Sequence, residues 1–319
     1  MEFWLLFQET FFMKKQKNSF SFSKSLLKII GLGLMMSFIS ISSVMGQANP
    51  ETYRVFDSKG NPATLAQIIE AIGQNDVVFL GEQHDDSVCH ALQFEIFKAA
   101  VDKYSANRKV ALSMEMFERD VQYIVNEYLN NLITEKKFMD DARPWGNYKT
   151  DYRPLVELAK EKKFEVIAAN SPRRYVNMVS RGGRTTLNGL SPEAKKFLPP
   201  LPYAEASETY SKKFKALMGS SPEAQAGIDN ILSSQSLWDA GMAYSMSESL
   251  KKNKGELIVQ LNGAFHSENR LGTVEHLLRY RPKAKVLVVT MRYEEDFKNF
   301  ILSVEYFEAL VLREKAIKR

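Results

Sequence analysis

The sequence predicts a three-layer α/β/α fold with a mainly parallel sheet and a helical lid insertion. Three observations lead there. Short apolar runs of strand type alternate with segments of helical periodicity, several of those runs end in polar turns containing glycine, and a Gly- and Pro-rich stretch interrupts the rhythm in the middle. Alternation of this kind implies parallel strands covered on both faces. The 319 residues are 45% apolar and 25% charged, a globular composition that excludes a disordered chain.

Asp76–Gly81 is the first buried strand, an apolar run ending in Gly. Ser87–Tyr104 follows as a helix, with Ala91, Phe94, Ile96, Phe97, Ala100 and Val101 recurring at helical spacing. Lys109–Met114 is a second strand, and helices are expected over Asp120–Leu132 and Tyr152–Lys163, where Pro154 is tolerable in a first turn. Phe164–Ala168 is a third strand, and Pro172 opens a helix through Val179. Residues 182–225 read as loops and short helices and 226–252 as a long helix, together a lid insertion at about 182–252 over the sheet's working edge. Glu256–Leu261 and Lys285–Val289 are further strands around a helix at Thr273–Arg279, and the tail from Tyr293 has a helical pattern. Neither an internal repeat nor a glycine-rich phosphate loop is visible.

The N-terminus carries a different message. Lys14, Lys15, Lys17, Lys24 and Lys28 precede the apolar stretch Leu26–Val44, which exits through Val44-Met45-Gly46. That order is a secretory signal, so residues 1–46 are set apart from a single α/β domain at 47–319. Met13 reads as the natural start, with residues 1–12 an upstream misreading. The competing reading is an uncleaved anchor, for which the apolar run is at the short limit. No Cys stands at the cleavage point to accept a lipid, so a periplasmic or secreted protein is expected. Residues 1–46 hold five Lys and two Glu, so removing them lowers the net charge from +5 to +2. Nucleic acid and anionic membrane thereby lose their main attraction. Cys89 is the only cysteine and sits among apolar helix positions, which suits a buried thiol and excludes an intrachain disulfide.

Chemistry concentrates where strands end. In an open parallel sheet, ligands bind beyond the carboxyl ends of the strands. The first strand runs into Gly81-Glu82-Gln83-His84-Asp85-Asp86, where Gly81 permits a tight exit and one of the two Asp caps the next helix. The second runs into Met114-Glu115-Met116, a carboxylate within an apolar run that is costly to bury unless paired. A later strand runs into Asn262-Gly263-Ala264-Phe265-His266, so two of the chain's four histidines occupy the same Gly-x-x-His setting. Such turns on neighbouring strands would gather Glu82, His84, Glu115 and His266, a set suited to a divalent metal or to general acid/base work. Arg173, near a helix N-terminus, could hold an anionic group or pair internally with Glu82 or Glu115. Trp145 and Tyr148 read as packing beneath the lid, and His90 and His276 as ordinary surface or interface residues.

The ordered stretches VVFLGEQHDD at 77–86, MEMFERD at 114–120, ARPWGNYKTDYRPLVELA at 142–159, AANSPRR at 168–174, QSLWDAGMA at 235–243 and NGAFH at 262–266 resemble the ChaN-like haem-binding family. That family is related to a superfamily of erythromycin-esterase-like hydrolases and Tiki/TraB proteins, some of them metal-dependent proteases. Members share two Gly-x-x-His turns and a strand glutamate, which here match Gly81 to His84, Gly263 to His266, and Glu115. The resemblance implies haem held at a dimer interface with tyrosine on the iron. Tyr203 and Tyr210, in the lid span, are the candidate cofactor ligands, and the absent lipid-bearing Cys departs from lipoprotein members. Besides a plain binding module whose polar cluster is an inherited remnant, two functions stay open. One is a haem-binding protein of haem and iron acquisition, working with transport components and as a homodimer. The other is a hydrolase, metal-dependent or metal-free, in which Glu82 or Glu115 activates water, His84 and His266 assist, and Arg173 binds an anionic group.

Overall fold

A computed structural model describes residues 50–218, 227–294 and 309–313. The signal expected over 1–46 and most of the expected tail helix lie outside the described residues.

Among the described residues the first strands are β1 (Tyr53–Phe56) and β2 (Pro62–Ala63), followed by helix α1 (Leu65–Ile72), which carries a capping box between Thr64 and Gln67. Next come β3 (Val77–Glu82), α2 (Ser87–Tyr104) and β4 (Val110–Glu118). Helices α3 (Gln122–Leu129), α4 (Glu135–Asp141) and α5 (Arg153–Lys162) lead to β5 (Glu165–Asn170). Helices α6 (Arg173–Gly182), α7 (Pro192–Lys195), α8 (Glu208–Met218) and α9 (Ile228–Lys252) precede β6 (Leu257–Gly263). The last described elements are α10 (Thr273–Tyr280), β7 (Val286–Tyr293) and β8 (Ala309–Arg313).

These strands form one sheet in the order β2-β1-β8-β7-β3-β6-β4-β5. From β8 to β5 all neighbours are parallel, and β1 pairs antiparallel with both β2 and β8. The α/β/α expectation therefore holds, with an antiparallel margin added at one side. The tail expectation is corrected at residues 309–313: that short Val- and Leu-containing run completes a ladder between β1 and β7 rather than continuing a helix.

Strand alternation divides the core into two layers. On one face, Val78, Leu80, Leu112, Met114, Val259 and Leu261 pack with α2 and α5. On the other, Val77, Phe79, Ala111, Ile167 and Ile258 pack with Met242, Ala243 and Met246 of α9 and with Val274 and Leu277 of α10. Helix α9, the C-terminal part of the span expected to be a lid, is thus a layer helix of the sheet. Its close approach depends on Gly241, where a Cβ would overlap the Ser171 hydroxyl. Ser171 Oγ then donates to the Leu237 carbonyl at 2.9 Å.

The β5 edge is closed by a side chain. Gln122 Nε2 donates to the Val166 carbonyl at 2.8 Å, while Gln122 Oε1 accepts from the Ala168 N–H at 2.7 Å. One amide thereby replaces a missing neighbouring strand. Substituting Gln122→Ala is expected to cost about 1–3 kcal/mol in denaturant unfolding by stranding both backbone groups. An unchanged midpoint would show that water replaces the amide without loss.

Candidate functional site

Glu82 is the last residue of β3 and is buried. Its Oε1 accepts from His84 Nδ1 at 2.8 Å and from the Tyr152 hydroxyl at 2.5 Å, and its Oε2 accepts from Gln93 Nε2 at 2.6 Å. Tyr152 reaches this point because the chain makes a π-turn over Tyr148–Tyr152 before α5. His90 stands 3.6 Å from the other side of the same carboxylate. Burial pushes the Glu82 carboxyl up, but the His84 hydrogen bond, the two imidazoles and the Tyr152 hydroxyl outweigh it and hold the group below its ordinary value. Burial and the adjacent carboxylate together raise the Tyr152 phenol.

His84 itself is half-exposed, with its ring edge-on to Trp145 at 4.9 Å. Partial burial lowers the imidazole's proton affinity, yet the bond to Glu82 and the field of Glu115 reverse that and raise it. The ring lies against Gly263, where a Cβ would come within 2.8 Å of Cε1 and Nε2. Gly263 has ordinary backbone angles, so its lack of a side chain serves close approach rather than a left-handed turn. Gly81 is the same case. It lies inside β3, and a Cβ there would meet Ala264 Cα at 3.0 Å, so the tight exit expected of it is corrected to a packing requirement.

Glu115 lies where β4 loses register with its neighbour, between Met114 and Glu118. Its Oε2 accepts the Gly263 N–H at 2.8 Å, and its Oε1 is 3.6 Å from His266 Nε2. On the far side of that imidazole, Nδ1 contacts Asp239 Oδ1 at 2.7 Å, and the same oxygen accepts from the Thr273 hydroxyl at 2.7 Å. Burial opposes a charge on His266, but Glu115 and Asp239 outweigh it and raise the group to about 9. At neutral pH this is an imidazolium clamped between two carboxylates.

Helix α8 covers this inner half. Tyr210 and Phe214 pack on Phe265, and Lys213 Nζ donates to the Phe265 carbonyl at 3.1 Å while pairing with Glu268 at 2.8 Å. Tyr210 lies beside Asp239 and Gln235, and burial together with the charge of Asp239 lifts its phenol well above the ordinary value. Tyr203 sits elsewhere, in a cluster with Tyr175, Leu187 and Leu198, and its hydroxyl donates to the Ser233 carbonyl at 2.8 Å.

The structure therefore brings Glu82, His84, Glu115 and His266 to the carboxyl ends of β3, β4 and β6, with Tyr210 behind His266 and Tyr203 apart. Arg173 lies exposed at the start of α6, beyond the end of β5. As a metal set the four residues need correcting. Among the described residues no group of three His, Cys, Asp or Glu side chains comes together to hold an ion. The carboxylate oxygens of Glu82 already accept from His84, Tyr152 and Gln93, and a Glu115 oxygen accepts from Gly263. The reading of His90 and His276 as surface residues is also corrected, because both are buried. His90 binds the His84 carbonyl at 3.1 Å, and burial depresses His276 to about 4. Of the two Asp, Asp86 caps α2, accepting from the Val88 and Cys89 N–H groups. Buried Cys89 donates Sγ–H to the same side chain, and burial pushes its thiol up to about 12. Tyr148 belongs to the core with Phe117 and Phe138, and Trp145 faces His84.

Comparison with known proteins agrees with this architecture. The family model described as "Haem-binding uptake, Tiki superfamily, ChaN" matches residues 68–277. No curated protein sequence matches. The structure of ChaN of Campylobacter jejuni with cofacial haem is similar at a TM-score of 0.66 and 19% identity, covering 85% of this chain and 100% of that one. An erythromycin esterase, EreC, in its open conformation scores 0.46 at 11% identity, covering 76% of this chain and 77% of its own. A succinoglycan biosynthesis protein scores 0.43 at 13% identity, with 72% and 69% covered.

The His266 clamp has a pH signature. Its folded value of about 9 lies above the ordinary 6.5, so its contribution to stability is complete below about 6.5 and is lost as pH rises through 9. Denaturant midpoints should fall across that window, and Asp239→Asn should flatten the decline. A wild-type profile that stays level from pH 6.5 to 9 would contradict the clamp.

Proposed function

The chain belongs to the haem-binding uptake family of the Tiki superfamily, the ChaN family, and from that premise we propose an exported haem-binding protein of haem and iron acquisition. The observation that carries the proposal is the family match over 68–277, which includes both Gly-x-x-His turns, Glu115 and the aromatic stretch at 142–159. The donor chemistry of the outer half of the site fits the group. A half-exposed imidazole is anchored through one nitrogen to a buried carboxylate and stands beside the partly buried indole of Trp145. When bound, haem would supply an iron centre. Around it, Glu82 would orient His84, Trp145 would offer apolar surface, and Gly263 would keep room for the imidazole.

Because the Campylobacter jejuni protein binds haem cofacially, a homodimer that sets two haems face to face is the assembly we propose here, with haem or iron transport components as its onward partners. Export rests on the basic and apolar order of residues 14–46.

A second reading is favoured by the Asp239–His266–Glu115 alignment. A clamped imidazolium is suited to donate a proton rather than to accept one, and Glu115 is the carboxylate left to activate water. This gives a metal-free hydrolase in which Arg173 would bind an anionic part of the substrate. Turnover of ester or peptide substrates that is lost in Glu115→Gln would support it.

Haemin titrated into the purified chain should produce a saturable change in the haem absorption spectrum. Mass spectrometry of the protein recovered from its producing cell should find a mature N-terminus following Gly46. Absence of a spectral change would remove haem binding, and an intact N-terminus at Met1 or Met13 would remove cleavage.

A further inference from the structure

A second polar cleft lies away from the histidines, on the flank of the sheet between the edge strand β5 and α9, with a volume of about 550 Å³. We propose that this cleft binds the carboxylate of a small organic acid, gripped by the guanidinium of Arg119.

Three neighbours in the MEMFERD stretch behave differently. Glu118 and Asp120 pair with Arg143 at 3.1 and 2.8 Å, and Asp120 also pairs with Arg174. Arg119, between them, turns to α9, where its Nη1 donates to Ser245 Oγ at 2.8 Å. Among the described residues that is its only side-chain hydrogen bond and it has no carboxylate partner, so Nε and Nη2 keep donors to offer. Ser245 Oγ stands 2.9 Å from the Ala169 and Gly241 carbonyls, which take its proton and leave the oxygen to accept from Arg119. The guanidinium also lies over the Tyr244 ring, 5.0 Å from its centroid. Ring and hydroxyl together fix its orientation, and the remaining N–H groups suit a planar acceptor with two oxygens. Burial works against the charge of Arg119, and the fields of Tyr244 and Glu248 only partly offset it. A bound anion supplies the missing counter-charge.

The surroundings select the kind of anion. Glu248 stands exposed on the wall of the cleft, and α9 brings its negative C-terminal end to the same wall at Lys252. Both repel a phosphate dianion more strongly than a carboxylate monoanion. Glu165, also on the wall, is already paired with Lys109 at 3.1 Å. Ile167 and Ala168 add apolar surface, and the volume is that of a small-molecule pocket, so an organic body fits behind the charged group. A peptide cannot dock here as an added strand, because Gln122 already takes the Val166 carbonyl and the Ala168 N–H.

The test uses the full chain, with hexanoate as the probe, hexanamide as its uncharged counterpart and inorganic phosphate as the competing anion. Hexanoate should move the Arg119 Nε–H resonance along a saturable curve, and hexanamide should bind at least about tenfold more weakly. Arg119→Lys keeps the charge but loses the fork, and should weaken hexanoate at least about fivefold. Glu248→Gln, a change at an exposed residue, should tighten it about two- to fivefold. Phosphate should bind more weakly than hexanoate. A wild-type response that never saturates overturns the site, and so does hexanamide binding as well as hexanoate. Unchanged hexanoate affinity in a folded Arg119→Lys protein overturns the role of the guanidinium. Phosphate binding more tightly than hexanoate overturns the carboxylate assignment. Should Arg119→Lys fail to fold, the hexanamide comparison and Glu248→Gln decide the matter, the latter overturning the proposal if affinity does not rise.

Discussion

A carboxylate buried at the end of the central strand β3 places a demand that much of the molecule answers. An ionised Glu82 withdrawn from water costs several kcal/mol unless each oxygen receives donors. The donors come from separate parts of the chain: His84 from the loop after β3, Gln93 from the middle of α2, and Tyr152 from the π-turn ahead of α5. Gln93 also donates to the Leu80 carbonyl at 3.3 Å, so α2 is tied to the strand and its terminal carboxylate together. The position of α2, the wound turn before α5 and the orientation of His84 are thus parts of one solution to one electrostatic problem.

The inner half of the edge meets the same demand by different means. Glu115 takes a backbone N–H from Gly263, and Asp239 takes the Thr273 hydroxyl and the His266 ring. Both solutions require close approach between neighbouring turns, and glycine supplies it. A side chain on Gly263 would press on His84, and one on Gly81 would press on Ala264. The two Gly-x-x-His turns are consequently interlocked, each using the other's glycine-lined backbone as a packing surface. Substitution at Gly263 would disturb His84 of the facing turn, and substitution at Gly81 would disturb Ala264 and Ser267 of the other.

Much of this was legible in the sequence because strand-end chemistry follows from order alone. Apolar runs that end in Gly-Glu-x-His and Gly-x-x-His place those side chains at one edge once parallel topology is inferred. The residues that complete the site were not legible in that way. Tyr152 depends on a π-turn that periodicity does not announce. His90 was masked by its helical setting, although its spacing from His84 and Gln93 directs it at their shared carboxylate. Gln235 and Asp239 stood within a motif noted for its resemblance, and their four-residue separation places both on the face of α9 that meets His266. In the fold, α1 was signalled by the Thr64–Gln67 capping box but carries only a short apolar pattern. Strands β1 and β2 are too short to show a period, and β8 becomes a strand through its neighbours on the sheet.

The two halves differ in access, and access decides what each can do. His84 stands at the solvent with its ring braced from behind. His266 lies beneath α8, sealed by Tyr210, Phe265 and the Lys213–Glu268 pair, with its charge already neutralised by two carboxylates. A substrate could reach it only if α8 moved, which would expose the apolar contacts of Tyr210 and Phe214 and break the Lys213 bond to the Phe265 carbonyl. Binding at the outer imidazole needs no such rearrangement. On this edge the outer imidazole is the exposed one, and the inner one is held between two carboxylates beneath the covering helix.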